Sequence, residues 1–222
     1  MQNRLRQYSR TLRRFDGLLS SSPVITGGLA VPFVVMGTAD LRAAVAICFT
    51  MLVLNISAVA VVYLLKKAGL GRSIYMTVTA LLSAVMIALS ARIVQGIHPQ
   101  IFNFMGIYFS LLAVNTLTFY LATRCDTAKS ILSNLLRSVR YSMGFALVTL
   151  PIAVFRELVG KGSVYGVKLA GGLQVPSVLL PFFGFIIVGF VCAAIRYANH
   201  SIKALLYRAE QKKKAEEQEA VA

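Results

Sequence analysis

Arg156 and Glu157 are the residues best placed to do chemistry, because they stand side by side at the end of an apolar run. Ionisable groups at membrane depth are costly and face protein interior or water, so such a pair points to ion or proton handling, or to an anchor between subunits. Neighbours along a helix do not face each other, so each needs a partner of its own. The competing reading is an Arg that snorkels to the interface and a Glu that caps the following loop. Asn55, Asn103 and Asn115 lie in or near apolar runs, where their amides could bond backbone freed from a helix ladder.

Soluble-enzyme constellations are missing: there is no phosphate-cradling Gly loop, no His/Cys metal spacing and no nucleophile elbow. Cys48, Cys125 and Cys192 are far apart, form no C-x-x-C pair, and two of them fall within apolar runs as small packed hydrophobes do. His98 and His200 fall at predicted membrane edges, where a lone His packs or is solvated. Gly160-Lys161-Gly162-Ser163 reads as a tight turn out of a helix.

The elements that must position these residues are membrane helices. Of 222 residues, 57% are hydrophobic and 14% charged, against roughly a quarter charged in an ordinary soluble domain. The net charge of +15 gathers at the termini and in two internal loops, with no basic stripe interleaved with aromatics, which argues against nucleic acid. Spacing of the charges predicts six spans, near 23–38, 43–65, 73–91, 101–122, 141–155 and 175–194. The fifth is too short on its uncharged residues and must extend through Arg140, Arg156 and Glu157. Residues 1–16 form a basic arm, read either as an amphipathic helix on the anionic surface or as a solvated tail. Residues 17–200 form the six-span domain, and 201–222 a charged cytoplasmic tail, frayed or disordered from about Tyr207. The basic residues concentrate in the second and fourth loops and both termini, which puts both termini in the cytoplasm.

Two of these spans are interrupted. Gly27, Gly28 and Pro32 break the first, and Gly106 with small polar neighbours breaks the fourth. Paired interruptions in two halves point to two inverted three-helix repeats, with the working site at their interface. The fold class expected is therefore an all-α integral membrane protein with interrupted first and fourth spans.

Arg156-Glu157-Leu158-Val159-Gly160-Lys161-Gly162-Ser163-Val164-Tyr165-Gly166 resembles the R-E-hydrophobic-hydrophobic-G-x-G-T-L-F/Y-G signature of the small six-span subunits of Rnf and Nqr complexes. Leu180-Pro181-Phe182-Phe183-Gly184-Phe185-Ile186 is similar to their L-P-P-G-A-F-I, and Gly106-Ile107 through Asn115-Thr116 to their L-G-I-F-I-P-L-I-V-x-N-C. The first broken span is similar to N-x-x-L-V-x-x-L-G-L-C-P, and Arg72-Ser73-Ile74-Tyr75 to R-I-P-x-Y without the Pro. The match runs in order over about residues 17–200, and the long basic termini look more like the RnfE/NqrD branch than the RnfA/NqrE branch.

The resemblance implies a sister six-span subunit of opposite orientation, other complex subunits and membrane lipid as partners, in a bacterial or archaeal plasma membrane. It also implies a 2Fe-2S cluster shared near mid-membrane, and ferredoxin or NADH oxidation driving Na+ or H+ outward. The family's two cluster cysteines fall on Val31 and Thr116, neither of which supplies a thiolate, so no cofactor is expected in this chain. The function expected is a subunit of such a complex with a scaffold or ion-path role, in which Arg156, Glu157 and Asn115 line the path or anchor subunits. The alternative is a stand-alone transporter or channel on the same scaffold.

Overall fold

Asp40 starts the central helix of the fold, its carboxylate accepting the Arg42 N–H at 2.9 Å as an N-cap. The computed structural model describes residues 27–97, 99–168 and 174–219, and side chains throughout except at 168, 199 and 202–219. The described helices are α1 (Val31–Gly37), α2 (Leu41–Lys67), α3 (Arg72–Ile97), α4 (Pro99–Met105), α5 (Ile107–Leu111), α6 (Thr116–Arg124), α7 (Ile131–Lys161) and α8 (Pro181–Glu219). Turns of 3-10 helix occupy Leu112–Val114 and Pro176–Leu179, and a two-residue antiparallel hairpin pairs β1 (Ser163–Val164) with β2 (Val167–Lys168).

α2 is the hub. It packs along α7 and α3 and is touched by α1, α4 and α6. Its length, roughly 40 Å at 1.5 Å per residue, exceeds a hydrocarbon core, and Lys66 and Lys67 close its last turn, where cations suit the carbonyl end. At that end Lys66 Nζ donates to the carbonyls of Thr123 and Cys125, at 3.2 and 2.8 Å, so the second and fourth loops meet. At the start of α2, the first loop meets the fifth through the Lys161–Asp40 ion pair at 2.8 Å.

Four described helices are long and apolar enough to cross a membrane: α2, α3, α7 and residues Pro181–Ala198 of α8. α4 and the segment Ile107–Arg124 pass the same test only together, as a pair bent by 74° at the break, the shape of a broken span or a re-entrant loop. The chain is an all-α integral membrane protein. Of the predicted first span, residues 23–26 lie outside the described residues, as does the basic arm 1–16. Its described part, α1, is one short helix of seven residues, about 10 Å long, which does not cross alone.

The interruption at Gly106 is present, and its φ of 46° with ψ of −125° explains why a glycine stands there. Pro32 plays a different part from the one read in the sequence. It sits in the first turn of α1, where a missing N–H costs nothing, so it starts that helix rather than breaking it. The non-helical backbone precedes it, with Gly28 at φ 63° and Ala30 at φ 62°. α7 runs through Pro151 and carries the fifth span well beyond 141–155 at both ends. α8 runs to Glu219 through a stretch of Ala, Lys, Glu and Gln, all good helix formers. His98 and residues 220–222 lie outside the described residues.

Gly106→Ala should lower stability by about 1–3 kcal/mol through backbone strain. Gly96, helical and with open space around its α-carbon, is the control, and Gly96→Ala should hold or raise stability. Thermal melting of both variants in one detergent checks the difference.

Candidate functional site

The two interruptions meet. The Ala30 N–H, one residue before α1, donates to Thr116 Oγ1 at 3.1 Å, at the first residue of α6. Ala30 holds a left-handed conformation that costs an alanine energy, and here the geometry of the crossing holds it. Val31, the neighbouring position, is half-buried, and Thr116 is exposed, as are Gly27, Gly28, Pro32 and Gly106. The crossing therefore lies at the surface of the chain.

Behind it runs a buried polar chain. Asn115 caps α6, its Oδ1 accepting the Leu117 N–H at 2.9 Å. Its Nδ2 donates to Met51 Sδ at 2.6 Å and to Thr118 Oγ1 at 3.5 Å. Thr118 donates to Asn55 Oδ1 at 2.8 Å, and Asn55 Nδ2 donates to Ser142 Oγ at 2.9 Å. Met51 and Asn55 lie about 15–20 Å along α2 from its start, which sets the crossing at mid-depth. Asn103, the third candidate amide, is exposed and has no hydrogen bond among the described residues.

Arg156 and Glu157 act at another place, and each takes its own partners. Arg156 is fully buried and does not snorkel. Its Nε donates to the Val178 carbonyl at 3.1 Å, Nη1 to Val35 O and Thr38 Oγ1, both at 2.6 Å, and Nη2 to the Leu179 and Leu180 carbonyls at 2.8 and 3.2 Å. No carboxylate pairs with it among the described residues. Its charge is held by carbonyl dipoles at the end of α1 and in the turn before α8. α8 can come this close because Gly184 has no side chain: a Cβ there would meet Val35 Cγ1 at 2.8 Å and Arg156 Nη1 at 3.0 Å.

Glu157, also buried, accepts the Leu41 N–H at 2.7 Å and the Gly166 N–H at 3.1 Å. It thus neutralises the positive end of α2 and fastens that end to the hairpin. Arg42 adds its Nη2 to the Tyr165 carbonyl at 2.8 Å and stacks over the Tyr165 ring at 5.1 Å. Burial alone would raise the Asp40 carboxyl, but the Lys161 hydrogen bond and charge, with the Arg42 N–H and charge, hold it below its ordinary value. Outside the spans too, burial pushes the Cys125 thiol up, against the pull of Lys66 and Arg137.

The sequence signals Arg156, Glu157 and Asn115 but not Thr38, Thr118 or Ser142. Asn115-x-x-Thr118 has the i, i+3 spacing of one helix face, a signal available in advance. Thr38 and Ser142 become partners only through contacts 118 and 87 residues apart along the chain.

A metal fares poorly here. No group of three or more His, Cys, Asp or Glu that could hold an ion occurs among the described residues. Cys48 lies on α2, Cys125 after α6 and Cys192 on α8, all three free. At the crossing itself, Val31 offers no ligand atom and the Thr116 hydroxyl already accepts a backbone N–H. A 2Fe-2S cluster needs thiolates, so these residues do not fit one.

A helical protein with four apolar helices long enough to cross a membrane, and a bent pair that passes the same test, belongs to the class of multi-pass membrane proteins. Residues 12–193 match the family described as Rnf-Nqr subunit, membrane protein. The chain belongs to the Rnf-Nqr family. It is also similar to one subunit of the proton-translocating ferredoxin:NAD(+) oxidoreductase complex of Clostridium ljungdahlii, at 25% identity over 131 residues. That similarity covers 58% of this chain, and the chain spans 62% of the length of that curated relative.

Arg156→Ala should cost about 3–5 kcal/mol, since five acceptors lose their donor in a dry site, and Arg156→Lys should recover part of it. Denaturation in detergent, following helicity, reads both. A carboxyl held below its unfolded value contributes stability above that value and loses it as pH falls through the folded one. Stability should therefore drop on acidification around and below pH 3.8, and Asp40→Asn should flatten that part of the profile.

Proposed function

We propose that the chain is a membrane subunit of an Rnf/Nqr-like redox-driven complex that translocates Na+ or H+, of the ferredoxin:NAD or NADH:quinone oxidoreductase type. The carrying observation is irregular backbone at mid-depth on an exposed face. Gly27, Gly28, Pro32 and Gly106 are all exposed there, and lipid cannot hydrogen-bond the backbone groups of such a break. Another protein must cover it. Ile107, Leu111 and Val114, at 70%, 46% and 68% exposure, surround the break with apolar surface of the kind a packed partner helix buries. A sister six-span subunit of opposite orientation is the partner that fits, because a second pair of breaks would meet the first.

The role proposed is scaffold and ion path. Asn115, Thr118, Asn55 and Ser142 form a buried, hydrogen-bonded chain of neutral oxygens and amides, polar groups that an ion path through the bundle would use. Arg156 and Glu157 act as anchors, holding α1, α2 and α8 in place around that chain. The plasma membrane of a bacterium or archaeon, with both termini cytoplasmic, is the setting proposed. The meeting of the second loop with the fourth, and of the first with the fifth, supports that sidedness.

A benzophenone photocrosslinking residue placed at Val114, in cells expressing the neighbouring genes, tests the assembly. The expected result is a crosslink to a second six-span Rnf-Nqr subunit, identified by mass spectrometry, with Leu81 on α3 as an exposed comparison position that crosslinks to lipid. Crosslinking of Val114 to lipid alone would contradict the reading.

A further inference from the structure

Val31 and Thr116, the positions at which the resemblance would place the family's cluster cysteines, lie beside the crossing of the two breaks and offer no thiolate. α1 begins at Val31 and α6 at Thr116, so two helix starts converge where the breaks cross. Helix starts carry free N–H donors and a partial positive charge, which suit an anionic group. At the start of α6 one such donor is already taken by a neutral side-chain oxygen, and so is the N–H of the residue that precedes α1. Asn115 Oδ1 accepts the Leu117 N–H of α6, and Thr116 Oγ1 accepts the Ala30 N–H that leads into α1. Thiolates are lacking on both sides, and the three cysteines sit elsewhere and free.

We infer that a hydrogen-bonded clasp stands where the family resemblance would place a 2Fe-2S cluster. Thr116 and Ala30 form the clasp, Asn115 and Thr118 brace it from behind, and the two interrupted helices are fastened with no redox group at the crossing. Thr116 is then a positioning residue: its hydroxyl sets the angle at which α6 meets the turn before α1. Electrons in any assembly run through groups held by other chains. This inference rests on family membership and on the hydrogen bond, not on the complex proposed above.

Residue-resolved hydrogen exchange in detergent tests it, together with iron and acid-labile sulfide content. The protein is examined alone and co-purified with its partners, as wild type, Thr116→Val and Thr116→Ser. The expected result is that Thr116→Val speeds exchange at the Ala30 amide about tenfold, the worth of one net hydrogen bond. Thr116→Ser should keep the wild-type rate, and amides of α3 should be unchanged in both, which separates a lost clasp from misfolding. Iron should be at background in the chain alone, and any iron of the assembly should be the same in all three proteins. Unchanged Ala30 exchange in Thr116→Val would overturn the clasp. So would iron and sulfide bound by the chain alone, or assembly iron lost on Thr116→Val. The crosslinking test at Val114 can succeed or fail independently of either outcome.

Discussion

Backbone polar groups that leave a helix inside a bilayer have no water to turn to. That constraint governs this structure, because one helix pair is bent at Gly106 and irregular backbone precedes α1. Several backbone groups at the breaks and loop ends are answered by a side chain of the opposite kind. Carbonyls around Val35 and Val178–Leu180 receive the Arg156 guanidinium. The N–H groups of Leu41 and Gly166 receive the Glu157 carboxylate. The N–H groups of Ala30 and Leu117 receive Thr116 and Asn115. Two charged residues adjacent in sequence thus serve opposite deficits, one of donors and one of acceptors, and neither needs the other as a partner.

The Asp40–Lys161 and Arg42–Tyr165 contacts close the same end of the bundle, while Lys66 closes the other through the carbonyls of Thr123 and Cys125. α2 is therefore pinned at both ends and carries the polar chain at its middle. A rigid central helix with fixed ends gives the crossing point its depth. It also explains why an alanine can be held at φ 62° beside it.

Much of this is legible in the sequence. Charge spacing marks α2, α3, α7 and the membrane part of α8, because charged residues are kept from the bilayer core. Gly106 is readable as a break because its backbone conformation admits little else. Pro32 misleads, because a proline within an apolar run marks equally well the interior of a kinked helix or the first turn of a new one. Only the position of the preceding left-handed residue, Ala30, decides between them. The partners of Arg156 are hidden for a further reason. Four of its five acceptors are backbone carbonyls, and every residue has one. The junction of Ala30 with Thr116 joins positions 86 apart and follows only from how the two halves pack. The family resemblance, by contrast, singles out Val31 and Thr116 as corresponding positions, and Thr116 and the residue next to Val31 do lie in contact.

In this Rnf-Nqr family chain the irregular backbone before α1 is joined to the start of α6 by the Ala30–Thr116 hydrogen bond. An experimental density map of the assembled complex, with iron located by its scattering or spectroscopic signature, tests that most directly. The predicted result is a second six-span chain packed over Gly106 and Pro32, direct contact between Ala30 and Thr116, and no iron bonded to this chain. Iron bridging the two breaks, or lipid rather than protein covering them, would contradict it.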